Sequence, residues 1–291
     1  MITSTTTATT TTATTTTLGL KIVSVRTDNS PYNVSNVPSS IFMIDSTTGA
    51  VSHVLPGDLI TARRTAGAAG VATSVMHAKH DNAPLTCLIY GAGIQGEEHA
   101  RVMIAVRPEI TKVVIVNRSR PRLDKLTTLL KQEAQYSKVE FVGLLESEED
   151  LIDGFLSSAD VVCCCVSRIS GEESGRKPLF DGRKLKKGCH VNSIGSFTPD
   201  TREVDRHVLE RAGGRIVIDD EGARSVGDFA IEGWNEMKLL GEVINGAGEG
   251  LGEISFYKGV GVGWMDVVAG GVIVDELKKG GGGNVGVVRL D

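Results

Sequence analysis

LTCLIYGAGIQGEEHARVM, residues 85–103, carries an apolar run into a glycine turn and out into a helix. Leu85, Cys87, Leu88, Ile89 and Tyr90 form the run. Gly91-Ala92-Gly93-Ile94-Gln95-Gly96 forms the turn, and Gly96, Ala100, Met103 and Ile104 then recur at helical spacing. This is the G-x-G-x-x-G turn of a dinucleotide-binding unit. One glycine makes the tight turn, the second lets backbone approach a pyrophosphate, and the third lets helix pack closely on strand. The orphan N–H groups and positive dipole end of the helix then receive the phosphate charge. All six residues from Gly91 to Gly96 are candidate cofactor contacts. The glycines alone are a weak signal; the strand–turn–helix context makes them a prediction.

Downstream, apolar runs alternate with helical patterns. Runs at 113–117, 139–144, 159–167, 189–195 and 215–220 bring the strand count to six. Leu123, Leu126 and Leu130 share one helix face, and Leu151, Ile152, Phe155 and Leu156 point inward from the next. Strands apolar throughout and separated by helices mean a parallel sheet covered on both sides. The fold class is therefore α/β, a Rossmann-type doubly wound parallel sheet over residues 81–245.

Upstream, residues 3–17 are nearly all threonine and can bury no face, so 1–17 reads as a disordered tract. A strand follows at 18–26, a hairpin at 39–57 turning at Thr48-Gly49, and an alanine-rich helix at 58–78 capped by Asp58 or Thr61. The polar connector 79–84 marks a boundary, giving a first segment of 18–80. A glycine-rich loop at 246–252 opens a C-terminal segment of 246–291. Its last ordered element places Trp264, Val267, Val268 and Val272 on one stripe before a flexible GGGGNVG tail.

At 291 residues the chain is long enough for two domains. A net charge of −5 with dispersed cations argues against nucleic acid or an anionic membrane surface as partner. No apolar run reaches the roughly 18 residues of a membrane helix. The five cysteines (Cys87, Cys163, Cys164, Cys165, Cys189) sit in strand-like runs without metal-ligand spacing. They read as buried free thiols of a reducing, cytoplasmic compartment. The six histidines form no ligand cluster, and no metal is expected.

The end of the second strand selects the dinucleotide. NAD-binding units usually place a carboxylate there for the ribose hydroxyls; this chain has Asn117-Arg118-Ser119, then Arg120 and Arg122. A guanidinium offers a 2′-phosphate a charge-assisted, bidentate contact. Cations at a helix start are otherwise disfavoured by the dipole. NADPH is expected ahead of NAD, with Asn117, Arg118, Ser119 and Arg122 at the contact.

TARRTAGAAGVAT, GAGIQGEEHA, VNRS, VNSIGSFTPDTREVD, the Gly-Asp pair at 227–228 and YKGVG stand in one order along the chain. Together they resemble the ornithine cyclodeaminase/mu-crystallin family over about residues 18–277. The resemblance implies a homodimer and a smaller, discontinuous α+β substrate and dimerisation domain built from both chain ends. It also implies that Lys21 and Arg64, the second arginine of TARRTA, hold a substrate carboxylate, with Arg63 a solvated neighbour. Asp228 resembles the family's aspartate near the nicotinamide, its alternative role being a helix cap. Lys258 and Gly259 resemble an element closing over that ring. Cys165, Val166, Ser193 and Ile194 complete the candidate cofactor contacts, Ile194 and its neighbours backing the nicotinamide.

Two departures bear on the chemistry. Cyclodeaminases place an aspartate where this chain has Phe197, and Asp200 three residues on reads as a turn residue. Phenylalanine cannot deprotonate an amine. The family's N-terminal segment, with a further carboxylate-binding arginine, has the threonine tract in its place. The expectation is an NADPH-dependent reductase of small cyclic ketimine carboxylates of the pyrroline- or piperideine-2-carboxylate kind. The alternatives are an ornithine cyclodeaminase or NAD-dependent amino-acid dehydrogenase, and a catalytically silent NADPH-binding protein.

Overall fold

The computed structural model describes residues 2–3, 17–26, 29, 32, 34, 36–77, 83–166, 177–246 and 250–280. Of the tract 1–17 expected to be disordered, residues 2–3 are described as a strand and residue 17 is also described, whereas residues 4–16, and residues 281–291 of the tail, lie outside the described residues. The chain divides into two compact units, residues 1–64 with 261–291, and residues 65–260.

The smaller unit is built on a four-stranded antiparallel sheet of β1 (Ile2–Thr3), β2 (Leu18–Val23), β3 (Ser39–Ile44) and β4 (Val51–Pro56), in that order. The hairpin between β3 and β4 turns where expected. Asp45 accepts the N–H groups of Thr47 and Thr48, and Gly49 takes φ +74°. Ile41, Met43 and Leu55 of the sheet pack with Val267 and Val274 of the C-terminal helix, Gly263–Lys278. Of the stripe expected on that helix, Val267 faces inward and the other three residues do not. Asp266, Val267, Gly270 and Val274 are buried, whereas Trp264, Val268 and Val272 are 40%, 37% and 60% exposed. Apolar residues lie nearly all round this helix, so periodicity could not choose the buried side.

Helix α1 (Gly57–Met76) follows β4 directly. Its expected caps do other work. Asp58 accepts from the Ser39 N–H, and the Thr61 hydroxyl donates to the Gly57 carbonyl. The far half of α1 packs Ala69, Ala72 and Met76 into one core with Ala100 and Met103. Residues from Thr65 on therefore group with the larger unit, rather than from residue 81.

The larger unit holds eight parallel strands. β5 (Leu85–Tyr90), β6 (Ile110–Asn117), β7 (Glu140–Leu145), β8 (Val161–Cys164), β9 (His190–Ser193) and β10 (Ile216–Ile218) are the six read from sequence. β11 (Lys238–Leu239) and β12 (Ser255–Lys258) are additional, and the order is β11-β10-β12-β9-β8-β5-β6-β7. Strand β12 is the main correction. The sequence pattern places SFYK in the C-terminal segment, whereas all four residues are buried between β9 and β10. This moves residues 246–260 into the sheet unit. Helices α2 (Ile94–Val106), α3 (Arg120–Gln132), α4 (Glu149–Leu156), α5 (Arg206–Ala212), α6 (Gly227–Glu232) and α7 (Leu240–Ile244) complete the unit, and the C-terminal helix is α8. Leu123, Leu126 and Leu130 are buried as expected, but Leu151 of α4 is 54% exposed.

Candidate active site

Strand order reverses at β5, with β6 on one side and β8 on the other. Open α/β sheets bind ligands beyond the strand ends at such a point. Gly91 takes φ +109°, and a Cβ there would lie 2.7 Å from the carbonyl oxygen of Cys165, which follows β8. A Cβ on Gly96 would run into the carbonyl oxygen of Gly91. Ala92 and Gln95 are half-buried, and Gly93 and Ile94 are exposed. Helix α2 starts after Gly93 with no side-chain cap on its first N–H groups. This bare, dipole-positive helix start, above a turn closed to side chains at Gly91 and Gly96 and open at Gly93, fits a dinucleotide pyrophosphate.

At the end of β6, Asn117 joins the turn rather than pointing to solvent. Its Oδ1 accepts from the Ala92 N–H at 3.3 Å and its Nδ2 donates to the Ser119 carbonyl at 3.3 Å. Of the three arginines that follow, Arg120 is engaged, reaching Glu148 at 3.2 Å and the Gly143 carbonyl at 3.3 Å. Arg118 and Arg122 are exposed and have no ion pair among the described residues.

Below the far strand ends lies a closed polar cluster. Lys258, at the end of β12, donates to Asp228 Oδ2 at 2.9 Å, to Ser193 Oγ at 3.0 Å and to the Ser196 hydroxyl. Asp228 Oδ1 accepts the N–H groups of Glu203 (2.7 Å) and Val204 (2.9 Å), so Asp228 pins the 193–204 loop and does not cap α6. Burial opposes its charge. The Lys258 ammonium, the Ser196 hydroxyl and those two N–H groups outweigh it and hold the carboxyl below the usual range. Glu203, absent from the sequence-derived site, accepts from Ser193 Oγ and the Gly195 N–H, both at 2.8 Å. Full burial pushes its carboxyl up to about 7, against the pull of Lys258. Asp228, Lys258 and Ser193 thus form a support, while Ile194, 9% exposed, and Gly259 form an apolar contact.

The smaller unit gathers the two expected carboxylate-binding cations. Lys21 points from β2 into the interior, 4% exposed, donating to Thr61 Oγ1 at 2.7 Å and Asp266 Oδ1 at 3.0 Å. Arg64 Nε reaches the same Asp266 oxygen at 3.2 Å. Asp266 was not singled out in the sequence. The signal was there: a lone carboxylate inside the apolar run of GWMDVVAGGVIV needs a partner if it is buried. Arg63 is exposed. Phe197 is 36% exposed, and Asp200 accepts from the Thr198 hydroxyl inside its own loop.

The sheet order, the glycine turn and the helix start define a Rossmann-type α/β protein with a small antiparallel-sheet unit. The chain belongs to the ornithine cyclodeaminase/mu-crystallin family, whose model matches residues 6–281. It is 28% identical to a Delta(1)-pyrroline-2-carboxylate reductase of Bacillus thuringiensis subsp. konkukian, covering 92% of this chain and 79% of that protein. It is 25% identical to the ketimine reductase mu-crystallin of Mus musculus, covering 90% and 77%. Among solved structures it resembles the Thermococcus litoralis Delta(1)-pyrroline-2-carboxylate reductase in complex with NADH and L-proline. That match has a TM-score of 0.77 and 25% identity, covering 92% of this chain and 81% of the other. No helix among the described residues is long and apolar enough to cross a membrane.

Proposed function

We propose that the protein is an NADPH-preferring reductase of small cyclic ketimine carboxylates, the pyrroline- and piperideine-2-carboxylate class. The observation that carries the reading is the meeting of Lys21 and Arg64 on one buried point. Two cations from a strand and a helix give a carboxylate both charge and a fixed direction. The relatives' activities support the same class.

A reduced nicotinamide held here would supply hydride for the imine carbon, and the chain's own residues would bind and orient the two partners. The turn Gly91–Gly96 and the start of α2 take the pyrophosphate. Arg118 and Arg122, unpaired among the described residues, are suited to a 2′-phosphate. Ile194 and Gly259 offer an apolar backing, held in place by Ser193, Lys258, Asp228 and Glu203. Lys21 and Arg64 bind the substrate carboxylate. The imine nitrogen takes its proton from solvent before the reduction, so no side chain has to donate a proton to it or remove one from it. Phe197, standing where cyclodeaminases have an aspartate, supplies none. A homodimer in a reducing cytoplasm belongs to the same reading, supported by the family and by five buried free thiols.

The test is oxidation of NADPH by pyrroline-2-carboxylate, run beside NADH and beside Arg118→Ala. Turnover with an NADPH preference that Arg118→Ala removes is expected. Binding of NADPH without turnover on either ring size would favour a silent binding protein, and ammonia release from ornithine would overturn the role given to Phe197.

A further inference from the structure

Lys21 and Arg64 are not simply two cations side by side; both are tied to Asp266, and the tie sets what each can do. Two charged donors converge on Asp266 Oδ1, Lys21 Nζ at 3.0 Å and Arg64 Nε at 3.2 Å, and the Thr61 oxygen, whose hydrogen goes to the Gly57 carbonyl, lies 3.2 Å from it. The carboxylate is fully buried, and its Oδ2 has no hydrogen-bond partner among the described residues. We propose that Asp266 is the positioning residue of this carboxylate-binding pair, keeping Lys21 an ammonium inside the fold and turning Arg64 so that its terminal nitrogens face a ligand. The proposal rests on the reading of Lys21 and Arg64 as the carboxylate site.

Two arguments support it. The first is charge. Lys21 is almost wholly buried, and burial pulls its proton affinity down. Among the described residues, the charged groups that act on it are Asp266 on α8, and Arg64 and Asp58 on α1. Arg64 has the same sign and deepens the loss, Asp58 opposes it weakly, and Asp266 is the main counterweight. Without that carboxylate two like charges would share one interior point. The second is geometry. Arg64 spends Nε on Asp266, and among the described residues its terminal nitrogens have the weak Met265 sulfur at 3.7 Å from Nη1 as their hydrogen-bond partner. The Nη1–Nη2 edge, the edge that grips a carboxylate bidentately, thus carries no carboxylate among the described residues. Gly261, at φ +72°, gives the guanidinium room, since a Cβ there would run into Nη1 and lie 2.8 Å from Nη2.

The experiment measures L-proline binding as a function of pH, with NADP⁺ saturating, in wild type, Lys21→Met, Asp266→Asn and Asp266→Glu. L-proline keeps one carboxylate and one ammonium through neutral pH, so any slope belongs to the protein. Wild type supplies the reference profile, in which a rise in Kd on the alkaline side marks the loss of the Lys21 proton. Asp266→Asn should move that rise to lower pH, with Kd climbing about tenfold per pH unit, the slope of one lost proton. Asp266→Glu keeps the charge, so its profile should follow wild type in shape while affinity falls through misplacement. A uniform loss in Asp266→Asn with no shift of the rise, or the same shift in Asp266→Glu, overturns the proposal. Should Asp266→Asn not fold, stability decides. Lys21→Met combined with Asp266→Asn should fold better than Asp266→Asn alone, because the stranded ammonium is gone, and equal instability of the two overturns the proposal. Lys21→Met separates the two levels of the argument. If it leaves L-proline binding intact, the carboxylate-site reading itself fails; if it weakens binding while Asp266→Asn matches wild type, only the role of Asp266 fails.

Discussion

Lys258 Nζ lies 2.9 Å from Asp228 Oδ2, and neither side chain has any exposed surface. The pair links the end of β12 to the start of α6 and, through Asp228 Oδ1, to the backbone of Glu203 and Val204. Removing one partner of such a pair strands the other, at a cost of about 3–5 kcal/mol. Lys258→Met should therefore lower the unfolding free energy by an amount of that order. Lys258→Met together with Asp228→Asn should recover part of it, because asparagine still accepts the two backbone N–H groups. Urea unfolding of the four proteins measures the coupling. Additive losses would show that the ion pair is not what holds the loop.

Two buried histidines make the fold acid-sensitive. Burial lowers His99 to about 4 and His190 to about 3 from an ordinary 6.5. His99 Nδ1 donates to the Gln95 carbonyl at 2.8 Å while its Nε2 is buried without a hydrogen-bond partner among the described residues, and His190 sits between Ser255 Oγ (2.8 Å) and Asn192 Oδ1 (3.2 Å), both of its ring nitrogens engaged. Both folded values lie below the unfolded one, so the unfolded chain binds the extra protons. Their contribution is complete above pH 6.5 and is lost as pH falls toward 4 and then 3. Each histidine carries a slope of about 1.4 kcal/mol per pH unit in that window. His99→Gln is expected to be less stable at pH 7 yet to lose less on going from pH 6.5 to 5. Denaturant midpoints at the two pH values check this.

Much of the larger unit was legible because its code is local. The glycine turn at Gly91–Gly96 reports its own backbone, and strands buried on both faces announce themselves as apolar runs. Strand β12 was missed because Ser255-Phe256-Tyr257-Lys258 mixes polar and aromatic residues, and Lys258 is buried only because Asp228 comes from 30 residues away. Asp266 was missed for a related reason. Its partners Lys21 and Arg64 lie more than 200 residues before it, and no periodicity links them. The side of α8 that faces inward was misjudged because Trp264 and Val272 look like core in a helix apolar nearly all round. Pairing across long sequence distance is what a single sequence does not display.

Glu203 works against the histidines. Its carboxyl is raised to about 7 by burial, above the ordinary 4.5, so the folded state holds the extra proton between these values. Its sign is therefore opposite to theirs: stability falls as pH rises from 4.5 to 7. Between about pH 4.5 and 6.5 one glutamate offsets one of the two histidines, leaving a net dependence of a single proton. Glu203→Gln keeps an acceptor for Ser193 Oγ and the Gly195 N–H without the buried charge. It should gain up to about 3 kcal/mol of stability at pH 8 relative to wild type, and its acid slope should become that of two protons. Unfolding free energies from pH 4.5 to 8 test both. A slope unchanged by Glu203→Gln would mean that the carboxyl is already ionised at pH 4.5.

Gly261 offers a test of the carboxylate-binding cations that leaves their charges untouched. Its φ of +72° is strained for any side chain, and the space a Cβ needs is filled by the Arg64 guanidinium. Gly261→Ala should cost about 1–2 kcal/mol from backbone strain and displace Arg64 from the line to Asp266. The expected kinetic result is a KM for a ketimine carboxylate raised about tenfold or more, the effect of roughly 1.4 kcal/mol of lost binding, with NADPH affinity unchanged because the dinucleotide turn lies elsewhere in the chain. Gly261→Asn, which tolerates positive φ better, separates strain from crowding: it should restore stability but not KM. Equal KM values in wild type and both variants would show that the placement of Arg64 does not govern carboxylate binding.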